Sequence, residues 1–313
     1  MSTSVSTPVA QPLPASSNRL LMARLKVLAS VVIWGTSFVA TKIIVGQIHP
    51  LTLITLRTLG GALLLFLLML VRKQWTGPVH GSLLRELVVL AFIGVAVHLS
   101  LQAISLRLTS ATNTSWMVSL TPLGISLLAW RVLGETFGRL QALGFVIALG
   151  GALLIVISQA GGLDMLGLPS TNGDLLALST TVTWAIFSVY SKRTLRHCAP
   201  AMLTLYVMAL GGLMTVPIFV ARQAWQELSQ LDAEGWLALG FTLVFVSGLA
   251  YLFWYDGLAE LDASKVGVFL YVEPLVTVVT AAVILGEPMR PLMLIGGAAI
   301  LSGVSLVNSR RRA

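Results

Sequence analysis

The chain has 313 residues, of which 56% are apolar and 10% charged, with a mean hydropathy of +0.90 and a formal net charge of +8. Soluble domains carry about 25% charged residues, so the composition excludes an ordinary soluble enzyme or binding domain. The single cysteine, Cys198, excludes an internal disulfide and any multi-cysteine metal site.

Residues 1–24 open with a Ser/Thr/Pro/Ala-rich stretch without an apolar core, which is neither a cleavable signal peptide nor a folded element. We expect a disordered cytoplasmic tail there. Ten apolar stretches follow, at 25–45, 51–71, 87–106, 111–130, 140–158, 173–192, 201–221, 236–256, 264–285 and 291–308. One helical crossing takes about 20 apolar residues, and ten with short connections nearly exhaust the chain. Barrel strands would alternate apolar and polar residues, which these runs do not. The expected fold class is therefore an all-α membrane protein, ending in a basic cytoplasmic tail at 309–313.

Lys and Arg fall unevenly on the two sides of this arrangement. One side collects fifteen, namely Arg19, Arg24, Lys26, Arg72, Lys73, Arg85, Arg131, Arg139, Lys192, Arg193, Arg196, Lys265 and Arg310 to Arg312. The other holds Lys42, Arg107, Arg222 and Arg290. By the positive-inside rule both termini are expected in the cytoplasm, with the protein multi-pass in the inner (plasma) membrane. In a soluble chain this basic excess would point to nucleic acid. Set in short loops between spans it does not, and no nucleic-acid partner is expected.

The chain repeats itself. At a constant offset of 152, Pro122 falls on Pro274, Leu133-Gly134-Glu135 on Leu285-Gly286-Glu287, and Gly144 on Gly296. At an offset of 150, Trp34 and Lys42 fall on Trp184 and Lys192. Five spans per half force the second half into the membrane upside down, giving a first repeat at 25–158 and an inverted second at 159–308. Such repeats mark alternating-access transporters, with the site near the midplane between the halves.

The string LTSATNTSWMVSLTPLGISLLAWRVLGETFGRLQALGFVIALGGALLI and its echo VEPLVTVVTAAVILGEPMRPLMLIGGAAILSGVSLV resemble the EamA branch of the drug/metabolite transporter superfamily. The resemblance covers about residues 25–308. It implies a ten-helix basket of two inverted five-helix repeats around a central cavity, with small-metabolite export the commonest activity. Members include exporters of amino acids, aromatic ones among them, and of drugs.

Candidate pathway residues come from polar stripes at helical spacing. They are Trp34, Ser37 and Thr41 on span 1, His98, Gln102 and Ser105 on span 3, and Ser115, Trp116 and Ser119 on span 4. Span 6 adds Trp184, Ser188 and Ser191, span 8 adds Ser247, Tyr251 and Trp254, and span 9 adds Glu273, Thr277 and Thr280. Spans 2, 5, 7 and 10 are much less polar, which casts 5 and 10 as scaffold. Small polar residues also bond helix to helix, so no single Ser or Thr decides the matter.

Glu273 is the one acid deep within a span. A carboxylate there costs at least ~2.5–3.5 kcal/mol, so it either faces a cavity, carrying a proton or holding a substrate amine, or sits neutral and locks packing. Pro122 and Pro274 are candidate helix-bending positions. Arg57, roughly 9 Å inside span 2, either meets a substrate carboxylate, pairs with Glu273, or bonds to helix-end carbonyls. The intramembrane Trp and Tyr residues suit apolar side chains or an ammonium group, though ordinary packing accounts for them equally well.

HExxH, Walker and GxSxG motifs are absent from the sequence. The expectation is a non-enzymatic, cofactor-free secondary transporter that exports small metabolites, apolar or aromatic amino acids first. A broad exporter of cationic or amphipathic drugs is the alternative, and an intramembrane enzyme or scramblase a remote one. The expected partners are a small-molecule substrate and the lipid bilayer, with protons as the candidate coupling ion and a monomer as the simplest working unit.

Overall fold

A computed structural model describes residues 17–108, 114, 118–136, 138–160, 172–285 and 291–308, and it contains helices and connections only among them. In chain order the helices are α1 (Ser17–Gln47), α2 (Pro50–Val71), α3 (Gly81–Leu108), α4 (Thr121–Leu133) and α5 (Arg139–Ala160). The second half holds α6 (Asn172–Thr194), α7 (Pro200–Ala221), α8 (Ala233–Glu260), α9 and α10 (Pro291–Asn308). The bent α9 joins Ala263–Gly267, a 3-10 turn at Val268–Tyr271, and Val272–Leu285. α1 starts at Ser17, before the predicted span at 25, so Arg19 and Arg24 are helical.

Local chemistry sets the ends. Pro50 and Pro200 occupy the first turns of α2 and α7, where a missing N–H is harmless. Asp232 caps α8 by accepting a hydrogen bond from Gly235 N at 2.7 Å. Gly134 ends α4 at φ 69°, a left-handed conformation that a β-carbon would strain.

Among the described residues six helices are long and apolar enough to cross a membrane: Asn18–Gln47, Pro50–Val71, Gly81–Leu108, Pro200–Ala221, Ala233–Glu260 and Ala263–Ile284. Thr121–Leu133, Arg139–Leu154 and Leu294–Val307 are shorter apolar helices. α6 is more polar because Thr180, Thr181, Ser188 and Ser191 are all turned into the protein and buried.

The packing exchanges the two halves. α2 lies on α7 and α5 on α10, while α1 packs on α8 and α9 as α6 packs on α3 and α4. The exchange extends to single residues. A β-carbon on Gly144 would lie 2.8 Å from Gly303 O, and one on Gly151 would lie 2.5 Å from Gly296 O. Since 144 corresponds to 296 and 151 to 303, each contact is the image of the other, the signature of a two-fold axis. Small residues let the α5 and α10 backbones touch, as in close membrane crossings. α3 and α8 also carry π-helical segments at matching places, Phe92–Val97 and Thr242–Ala250. The fold is thus the all-α, ten-helix, two-repeat arrangement expected from the sequence.

Candidate functional site

A cavity near the middle of the helices is lined by Trp34, Ser37 and Phe38 from α1, Arg57 from α2, and His98, Leu99 and Gln102 from α3. Val118 and Thr121 lie on the α4 side, Thr180 and Trp184 come from α6, Val246 and Tyr251 from α8, and Leu270 and Glu273 from α9. Of the predicted residues, Trp34, Ser37, Arg57, His98, Gln102, Trp184, Tyr251 and Glu273 converge here. Both π-helical segments lead into it, since His98 and Tyr251 directly follow them. π-Bulges are frequent at functional sites.

The charged groups are sequestered. Arg57 and Glu273 are 3% and 6% exposed, and neither makes an ion pair among the described residues. Arg57 Nε is buried without a hydrogen-bond partner. The two line one cavity without pairing with each other. His98 Nδ1 shares a 2.9 Å hydrogen bond with Thr183 Oγ1 and lies against Trp184, ring centroids 4.9 Å apart.

The aromatic residues form a cluster rather than separate walls. Trp34 centres lie 5.1, 5.2 and 5.2 Å from those of Trp184, Tyr251 and Trp254. Trp254 therefore backs the cavity instead of lining it. The free volume is about 50 Å³, room for one or a few waters and far below the ~300–1,000 Å³ of small-molecule sites. A ligand larger than a few waters needs the surrounding helices to move apart.

Several predicted residues lie elsewhere. Ser188 is fully buried one turn beyond Trp184, and Thr277 donates to Gly35 O at 3.0 Å, tying α9 to α1. Ser119 is buried outside the lining, and Trp116 lies outside the described residues. Pro122 sits in the first turn of α4, where it starts the described helix. Pro274 follows the 3-10 turn of α9 and denies the Leu270 carbonyl its α-helical donor. The lining also includes Phe38, Thr121 and Thr180, whose types carry no signal separating a pathway from helix packing.

One end of the bundle is closed. Beyond the cavity, Phe187, Ser188, Ser191, Trp254 and Tyr255 fill the space between α6 and α8, each fully buried. Further on, Lys192 Nζ donates to Leu258 O at 3.0 Å and to Leu261 O, holding the C-terminal carbonyls of α8. The Glu135 carboxylate accepts from Ala263 N at 2.6 Å, Ser264 N at 3.0 Å and Ser264 Oγ at 2.6 Å, capping α9. Lys26–Asp256 and Arg19–Glu260 ion pairs, 2.6 and 2.7 Å, tie α1 to α8 at the same end. Lys42, the repeat mate of Lys192, reaches Leu106 O at 3.2 Å at the opposite end.

Comparison with known proteins agrees with this architecture. The model of the EamA-like transporter family matches residues 21–157 and 171–309, one match per half. An uncharacterized transporter, YyaM, of Bacillus subtilis (strain 168) is 30% identical over 86% of this chain and 88% of its own length. An uncharacterized transporter of Archaeoglobus fulgidus is 29% identical over 95% and 99%. A solved crystal structure at 20% identity superposes with a TM-score of 0.75 over 94% of this chain and 97% of the other, a likeness that speaks for the fold alone.

Proposed function

This chain belongs to the EamA-like transporter family, and on that premise we propose that it exports small zwitterionic metabolites, apolar and aromatic amino acids first, by alternating access. The family and its transporter relatives make it a membrane transporter. The substrate class, the export direction, the cytoplasmic placing of both termini and the inner-membrane location are our reading.

One observation carries the substrate class: a guanidinium and a carboxyl group, Arg57 and Glu273, line a single aromatic cavity without neutralising each other. A zwitterion supplies both missing partners. Its carboxylate meets Arg57 through paired N–H donors, its ammonium meets Glu273 and the indole and phenol faces, and its apolar side chain lies among Trp34, Trp184 and Tyr251. A buried guanidinium repels a purely cationic drug, which ranks the drug-exporter alternative second. The closed end, with buried Ser188 Oγ and Trp254 Nε1 lacking hydrogen-bond partners, supports a pathway that is wetted when the helices part there. Leaving such groups unmatched costs free energy, which opening recovers.

Glu273 is also the candidate proton carrier. The test is counterflow of labelled amino acids, and of the corresponding decarboxylated amines, into liposomes holding the purified protein. We expect apolar and aromatic amino acids to exchange. Arg57→Gln should weaken amino-acid binding but not amine binding, and Glu273→Gln should weaken both. If Glu273 couples protons, Glu273→Gln abolishes proton-driven accumulation while downhill exchange persists. Absence of amino-acid counterflow, or both variants behaving like the parent, overturns the substrate reading.

A further inference from the structure

Away from the central cavity, a groove of about 570 Å³ runs between α3 and α6 at the end where α3 starts and α6 finishes. None of its residues lines the central site. Its chemistry is graded along its length. On α3, Arg85 is followed at four-residue steps by Val89 and Ile93, and on α6, Arg193 is followed inward by Tyr190 and Ile186. Steps of three and four residues keep each set on one helix face, so both arginines stand at the head and the apolar residues descend about 12 Å beneath them.

Charge at the head is unbalanced. Neither Arg85 nor Arg193 makes an ion pair or side-chain hydrogen bond among the described residues. Glu86 lines the same groove, where it accepts from Thr194 Oγ1 at 3.0 Å and meets His197 Nε2 at 3.2 Å. Two guanidinium groups thus stand beside one carboxylate that is bonded to other neighbours. Those contacts tie the ends of α3 and α6 and leave the two guanidinium groups free. Val89 and Tyr190 are 55% and 41% exposed, so the apolar floor is open to the bilayer.

We propose that this groove is a binding site for an anionic phospholipid, with the phosphate held between Arg85 and Arg193 and one acyl chain laid along Val89, Ile93, Ile186 and Tyr190. The occupant is a lipid and not a soluble anion because the charged pair heads an apolar channel sized for a chain. Basic pockets between membrane helices take acidic headgroups in this way. A zwitterionic lipid fills the floor equally well but brings its own cation to the arginines.

The purified full chain is placed in nanodiscs of phosphatidylcholine carrying trace fluorescent phosphatidylglycerol, and exchange of the probe lipid is followed. Two basic contacts near the surface predict a preference of roughly thirtyfold for phosphatidylglycerol over phosphatidylcholine of identical chains. Arg85→Gln with Arg193→Gln should remove it. Val89→Trp, which fills the groove and leaves both arginines in place, should weaken retention of both lipids. Equal retention of the two lipids by the parent overturns the proposal, as does an undiminished preference in the double glutamine variant. A preference reproduced by competition from glycerol phosphate, which has no chains, overturns the lipid assignment and leaves a simple anion site.

Discussion

Glu135→Ala removes the acceptor that caps α9 at the closed end. Three hydrogen bonds of 2.6, 3.0 and 2.6 Å reach its carboxylate, and bonds to a charged group contribute about 1.5–3 kcal/mol each. The site is only partly buried, and the freed N–H groups turn to water, so loss of a helix cap, about 0.5–2 kcal/mol, sets the lower scale. A net effect of about 2–4 kcal/mol on the closed arrangement follows, or roughly a thirtyfold to thousandfold shift toward the arrangement open at this end. The reporter is Ser191→Cys, at a fully buried position between the cap and the cavity. Its labelling by a membrane-impermeant thiol reagent is timed in inside-out vesicles. The native Cys198 contributes little background, because burial, with help from the Glu86 carboxylate, pushes its thiol up to about 11. We expect slow labelling in the parent background and at least roughly thirtyfold faster labelling with Glu135→Ala, while Glu135→Gln, which keeps an acceptor oxygen, falls between. Identical rates in all three would refute the latch, and acceleration confined to right-side-out vesicles would refute the proposed orientation.

Gly303→Ala places a β-carbon 2.5 Å from Gly144 O and 2.6 Å from Ala148 N, and overpacking of this kind costs about 1–3 kcal/mol. The melting midpoint should fall by several degrees, while Gly150→Ala, which meets nothing within 4 Å, leaves it unchanged; equal midpoints for the two contradict the close α5–α10 crossing. At Glu227, burial pushes the carboxyl pKa up, but hydrogen bonds from His49 N, Thr52 Oγ1 and Arg222 outweigh it and hold the pKa below its ordinary value. A depressed carboxyl stabilises the fold above its unfolded pKa of about 4.3, and that stability is lost as pH falls through the folded value. The parent should therefore melt above Glu227→Gln at neutral pH and converge with it in acid, and a pH-independent gap would contradict this.

The ten helices were legible because apolar length is a strong signal, and most observed ends lie within a few residues of the predicted ones. The repeat was legible from Pro122/Pro274 and Leu-Gly-Glu, but the sequence did not disclose what its members do. Glu135 stood out as half of a repeated tripeptide, and only the fold brings it to Ala263 and Ser264, far along the chain. Lys192 resembled one more orienting cation, yet it spends its donors on helix-end carbonyls. The tryptophans were read as cavity walls or as ordinary packing, and the structure joins the two: Trp34 and Trp184 line the cavity while packing on Trp254 behind them, a depth that side-chain stripes cannot give. Thr121 and Thr180 were missed for the same reason that Thr277 was included, since a hydroxyl on a membrane helix looks identical whether it faces a substrate or a neighbouring carbonyl.

The π-helical segments of α3 and α8 have a consequence for how these helices tolerate change in length. A π turn holds one residue more than an α turn. Deleting a single residue within Phe92–Val97 would let α3 close up into a regular helix. The turn that lost its surplus residue is still one full turn, so everything downstream keeps its rotational place. His98, Leu99 and Gln102 would go on facing the cavity, whereas the same deletion in the regular α-helix beside the segment would rotate everything beyond it by about 100°. A cut within Thr242–Ala250 would likewise be absorbed there and leave Tyr251 beside Trp34. Each π turn thus holds a spare residue in the backbone, and α3 and α8 can lose one there without losing the register that points the residues beyond it at the cavity.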